Sequence, residues 1–147
     1  MFSKMGEVKV NVKLSNAVDL GMLRRGLLPE GQVRVVDVEA VVDTGAVRSW
    51  MPVDVADRLG LRSVRRINAQ MANGQTEGVD MTEGVDMTEG VDMEILDRLV
   101  TESFLVLGSE VLIGQTALEA TDLLVDCNRQ KVIANPDHPN SAVIRIR

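Results

Sequence analysis

The chain has 147 residues, 45% of them apolar and 26% charged, with 16 basic against 22 acidic side chains for a net charge of −6. That length suits one domain over residues 1–147, and the composition excludes disorder and fibrous repeats. Aromatic residues make up only 2% and no run of Lys or Arg exceeds a pair (Arg24-Arg25, Arg65-Arg66), so nucleic acid is not an expected partner. No apolar run is long enough to span a bilayer and residues 1–10 do not read as a signal peptide, so a cytoplasmic protein without a membrane partner is expected.

Residues 7–14 alternate, with Val8, Val10, Val12 and Leu14 on one side and Lys9, Asn11 and Lys13 on the other, the pattern of a half-buried strand. Residues 16–19 and Gly21 read as a break, and residues 27–31 as a loop. A β-rich run over 33–42 ends at Asp43-Thr44-Gly45. Residues 54–61 predict a short helix closed by Gly60. Residues 64–71 predict a strand before the hairpin-turn signal Asn73-Gly74. Short buried strands are expected at 104–107 and 111–113, a helical turn or two at 115–120, a hairpin joining 123–125 to 132–133, and a terminal strand over 142–147. The fold class this predicts is all-β, with one or two short helices.

The hexapeptide Thr76-Glu77-Gly78-Val79-Asp80-Met81 recurs unchanged at 82–87 and 88–93. Its even period keeps a strand in phase: Val and Met fall on odd positions, and Thr, Gly and Asp on even ones, which are expected to face solvent. Identical copies leave the register ambiguous, because a slip of six changes no pattern. Perfect identity points to a recent duplication or an engineered insertion.

The chemistry is concentrated in residues 38–46. A hydrophobic strand delivers Asp43, expected to be buried behind Val41 and Val42, into a tight turn at Thr44-Gly45. Some 70 residues later come Val111-Leu112-Ile113-Gly114, a short helical stretch and a last hairpin. This order resembles the retropepsin-like aspartic proteases, and most closely their bacterial single-domain branch. Trp50 and Pro52 also stand at the offsets seen in the pepsin-type version of the loop.

The resemblance implies a small closed β-barrel holding half an active site, with Asp43, Thr44 and Gly45 as the catalytic loop. It implies an aspartic endopeptidase active as a homodimer on peptide or protein substrates, with neither cofactor nor metal. Thr44 would brace the two loops across the dimer, Gly45 would bring its N–H to the carboxylate, and Ala46 would line the cleft floor. A flap hairpin over residues 67–81, turning at Ala72, Asn73 and Gly74, would close on substrate. The repeats add 12 residues to one flap arm with no evident partner in the opposite arm, and are expected to prop the flap open. The alternative is a silent retropepsin-fold module that dimerises or binds peptides without cutting them, or a strand-duplication variant with an impaired flap.

Other residues read more plainly. Cys127 is a small buried or half-buried filler, and His138 a solvated loop residue. Met81, Met87 and Met93 read as strand residues before a soft-metal strip, and Asp80, Asp86 and Asp92 as a solvated face before a calcium loop. Arg48 is expected to face solvent or to pair with an acid across a dimer interface.

Overall fold

Strand β1 (Val8–Asn16) shows the alternation expected of it, with Val8, Val12 and Leu14 buried and Lys9, Asn11 and Lys13 exposed. Its placement comes from a computed structural model that describes residues 7–72 and 80–146, with side chains described over 7–69 and 84–146. The further strands are β2 (Val35–Val42), β3 (Trp50–Met51), β4 (Ser63–Ala72), β5 (Asp80–Ile95), β6 (Arg98–Val106), β7 (Leu112–Ile113), β8 (Leu123–Asp126) and β9 (Lys131–Ala134). The helices are α1 (Ala17–Arg24), α2 (Val53–Arg58) and α3 (Gln115–Thr121).

The main sheet runs β1-β2-β7-β3-β6-β5-β4, and β1 also pairs with β5. That second pairing closes six strands into a barrel and leaves β4 as a flange on β5. β1 meets β2 antiparallel from Val8↔Val42 to Ser15↔Val35, and β5 from Lys13↔Glu94 to Asn16↔Val91. β2–β7 and β3–β6 are parallel. β8 and β9 form the separate last hairpin. The barrel is filled by aliphatic side chains, among them Leu14, Met51, Leu59, Val91, Met93, Ile95 and Ile113, around Phe104, the single fully buried aromatic among the described residues.

Several expectations are corrected. The break at 16–19 is a helix start: the Asn16 side chain accepts the Asp19 N–H at 3.0 Å and donates to the Leu59 carbonyl at 2.8 Å. Asp19 then takes the Arg34 guanidinium on both carboxylate oxygens, at 2.8 and 2.9 Å. The terminal strand does not form over 142–146, because the Val143 N–H donates to the Asp122 carboxylate instead of to a ladder. His138 is part-buried, its Nδ1 2.7 Å from that same carboxylate. Cys127 is exposed beside the β8–β9 turn.

The repeat residues 80–93 lie in one continuous strand and are not unpartnered. β4 pairs with β5 from Arg65↔Met87 to Ala72↔Asp80, and β6 takes up β5 from Asp86 onward. Between Met87 and Gly90 β5 carries one residue more than β6, a bulge at the junction of the second and third copies. An extra residue exchanges the faces of a strand. Val91 and Met93 accordingly enter the barrel core, whereas Val85 and Met87 join Leu105 in a separate cluster against Trp50, Ile67, Ala69 and Leu107. Thr88, an even position expected in solvent, is turned inward by the bulge and accepts the Phe104 N–H at 3.1 Å. The expected turn at Asn73-Gly74 lies outside the described residues.

Candidate active site

The loop after β2 is stitched to the strand and helix that follow it some 70 residues later. The Asp43 N–H donates to the Ile113 carbonyl at 3.0 Å, continuing the parallel β2–β7 ladder by one residue. The α3 N-terminus then holds the far side: Gln115 N–H donates to the Ala46 carbonyl at 2.8 Å and Thr116 N–H to the Val47 carbonyl at 3.1 Å. Ser49, fully buried, accepts the Gly114 N–H on its hydroxyl at 3.0 Å. Gly114 sits where a β-carbon would lie 2.6 Å from the Arg48 carbonyl carbon and 2.9 Å from the Ala46 oxygen, so only glycine allows this crossing.

Within the loop, Asp43 Oδ1 accepts the Gly45 N–H at 2.8 Å, and the Asp43 carbonyl accepts the Ala46 N–H at 3.1 Å. The loop thus presents a carboxylate of fixed orientation. Asp43, Thr44 and Gly45 are exposed and Ala46 is half-buried, so the expectation of a carboxyl buried behind Val41 and Val42 is corrected: those two side chains are buried, and the strand end carries Asp43 past them. Val47 follows, 68% exposed, and Arg48 also faces solvent. Two surface grooves of about 490 Å³ lie elsewhere, one between β1, β2 and the β5–β6 turn, the other beside α3 and Asp122; neither includes Asp43.

A second carboxyl stands behind the loop and was not singled out from sequence. Glu102 on β6 accepts the Thr116 hydroxyl at 3.0 Å on one oxygen, and its other oxygen is buried without a hydrogen-bond partner among the described residues. Burial pushes this carboxyl up from its usual range, with Thr116 and the Arg48 charge opposing. Nothing in the pattern Val100-Thr101-Glu102-Ser103 marks it, since a Glu on an alternating strand reads as solvated.

The β4–β5 hairpin lies over Trp50, which follows the Asp43 loop, through the Val85–Met87–Leu105 cluster. Of the residues expected at the hairpin tip, Ala72 ends β4 opposite Asp80, and Asn73 and Gly74 fall outside the described residues. Among the described residues no group of three or more His, Cys, Asp or Glu is arranged to hold a metal ion. No helix among them is long and apolar enough to cross a membrane.

The chain compares with known proteins as follows. The fold resembles the retroviral protease-like domain of Ddi1 from Leishmania major at a TM-score of 0.53 and 17% identity, over 88% of this chain and 89% of that one. It also matches the protease of Simian Foamy Virus (mac) at a TM-score of 0.44 and 12% identity, over 75% of this chain and 90% of that one. No curated protein sequence matches significantly. The model of the family described as gag-polyprotein putative aspartyl protease matches residues 30–120, a span running from before β2 through the Asp43 loop, the hairpin and α3. With that match covering more than half of its length, the chain belongs to this gag-type, retropepsin-like family of aspartyl proteases.

Proposed function

We propose that this chain is an aspartic endopeptidase whose active site forms when two copies bring their Asp43 carboxylates together. The observation that carries the reading is the Asp43 loop itself: a carboxylate held by the Gly45 N–H, on a backbone pinned to Ile113 and α3, and exposed on the face of a single protomer. One carboxylate cannot serve as both acid and base toward one water. Two of them a few ångströms apart share a proton, because both cannot be ionised at once. The ionised member takes a proton from water as its oxygen attacks the peptide carbonyl, and the protonated member gives its proton to the carbonyl oxygen. Collapse of the resulting diol then delivers a proton to the amide nitrogen, and the C–N bond breaks.

In this reading the second copy covers Thr44 and Val47, which are exposed beside Asp43, and Ala46 lines the floor between the two. The β4–β5 hairpin, resting on Trp50, serves as the flap, with Ala72, Asn73 and Gly74 at its tip against an extended substrate. The unit is a single domain over residues 1–147 acting in the cytoplasm, without cofactor.

The test is cleavage of an unfolded protein by the parent chain and by Asp43→Asn. The substitution is expected to abolish cutting. Adding an equal amount of the Asp43→Asn chain to the parent, after exchange, is expected to lower activity to about half, since random pairing leaves half of the parent protomers with a parent partner. Activity that survives Asp43→Asn rejects the site, and activity unchanged in the mixture rejects the shared site.

A further inference from the structure

β4 is the last strand of the main sheet: among the described residues it pairs with β5 alone, so the backbone groups along its other edge belong to no ladder. Edge strands of this length are templates for another strand, and proteins guard them with proline, lysine or burial. β4 contains neither proline nor lysine. Instead, the end of α2, the turn after it and the start of β4 carry Arg58, Arg62, Arg65 and Arg66 within nine residues, all exposed and with no acidic residue among them. This is a quarter of the 16 basic side chains of a chain whose net charge is −6. Arg66 is partly engaged, donating to Asp86 at 3.1 Å and to the Gly84 carbonyl at 2.7 Å. Among the described residues Arg58, Arg62 and Arg65 make no ion pair.

We propose that the free edge of β4 is a docking site for an acidic, extended segment of another protein, added as a further strand. Backbone groups of the edge supply the ladder, and the arginines select the charge. Val64, 59% exposed between Arg62 and Arg65, offers an apolar contact to a side chain on the incoming strand. A second copy of β4 offers these charges no partner, because the strand contains no acidic residue. The inference stands apart from the peptidase reading, since it uses neither Asp43 nor its loop.

The test uses the full-length Asp43→Asn chain and a fluorescent ten-residue peptide alternating glutamate with threonine, read by anisotropy at low salt. Saturable binding is expected, weakened at least tenfold by Arg62→Glu with Arg65→Glu and restored by lysine at both positions. The same peptide N-methylated at alternate amides, which cannot complete a ladder, is expected to lose at least tenfold, and a lysine–threonine peptide is expected not to bind. Unchanged thermal midpoints confirm that the exposed substitutions leave the fold intact. The proposal is overturned if the glutamate peptide fails to bind, or if N-methylation leaves binding unchanged, which reduces the strip to a nonspecific anion patch. Equal affinity for a DNA oligonucleotide overturns it, as does a dimer of the parent chain that the glutamate substitutions dissociate, since the edge would then seat a second copy.

Discussion

Replacing Gly114 by Ala tests whether the crossing of two loops sets the position of Asp43. The new methyl would lie 2.6 Å from the Arg48 carbonyl carbon, 2.7 Å from its oxygen and 2.9 Å from the Ala46 oxygen. All three are backbone atoms, so none can swing aside. Carbon atoms settle at about 3.5 Å, so one strand of the crossing must move by about 0.9 Å. Gly114 has φ −94° and ψ −178°, open to any residue, so the cost is steric and not conformational. Overpacking of this kind costs about 2–3 kcal/mol, or about 5–10 °C of melting temperature for a chain of this size. The displacement falls on the segment from Ala46 to Arg48, whose Ala46 and Val47 carbonyls accept from α3, and a shift near 1 Å at a catalytic loop costs about 100-fold in rate. Urea denaturation reads the first effect and cleavage of an unfolded protein the second. Gly45→Ala is the control for stability alone: its methyl meets only Asp43 Oδ1, at 3.2 Å. A Gly114→Ala chain as stable and as active as the parent would refute the account of how the loop is held.

Other predictions rest on single interactions. Arg34, through its hydrogen bonds, holds the Asp19 carboxyl below the usual carboxylate range. The stability this gives is present above the unfolded value of about 3.9 and is lost as pH falls through the lower folded value. Asp19→Asn should therefore cost about 1–2 kcal/mol at pH 7, a charge-assisted bond discounted because Arg34 is half-exposed; urea midpoints of parent and variant should converge in strong acid. The Asn135 side chain, the Val143 N–H and His138 bring the Asp122 carboxyl down to about 2 against the opposing effect of burial. Its hold on the C-terminal segment should then persist as pH falls below 3.8 and fail only near 2, so at about pH 3 the Val143 amide should be protected from exchange in the parent and unprotected in Asp122→Ala. Met87 and Met93 occupy the same place in two identical hexapeptides, yet sit in different clusters. Met93→Ser should destabilise the whole fold by about 3 kcal/mol. Met87→Ser should chiefly shift the emission of Trp50, the only tryptophan, to the red; equal effects at the two sites would contradict the two-cluster packing.

Much of the barrel was legible because its signals are local. β1 shows its buried face by strict alternation, and the Asp43-Thr44-Gly45-Ala46 and Val111-to-Gly114 segments mark the two strands that meet under the loop. What was misread depends on partners far along the chain. Asn16 looks like a breaker because its second bond, to the Leu59 carbonyl, crosses 43 residues. The alternating Val143, Ile144 and Ile146 suggest a strand, but Asp122 claims the Val143 amide. Thr88 follows the pattern of its two identical relatives, and only a bulge against β6 buries it. Glu102 carries no local signal, since its surroundings come from α3, which packs on an otherwise ordinary strand.

The same contrast between local pattern and tertiary context settles how three identical hexapeptides adopt one register. The ambiguity expected from the repeats disappears at the residue that follows them. Ile95 is fully buried in the barrel core, two positions beyond Met93. Sliding β5 by six so that Val85 and Met87 take the places of Val91 and Met93 leaves those slots unchanged, but carries Glu89 into the place of Ile95. Sliding the other way carries Asp97 into the place of Val91, which is also fully buried. Either slip strands a carboxylate in an aliphatic core, at a cost of several kcal/mol. It also dismantles the tight connection at Leu96 and Asp97, whose φ values of 49° and 66° suit a two-residue hairpin between Ile95 and Arg98. The repeats are therefore free to be identical because they do not encode the register. The bulge after Met87 then divides one sequence between two tasks, the third copy completing the barrel and the second seating the hairpin on Trp50.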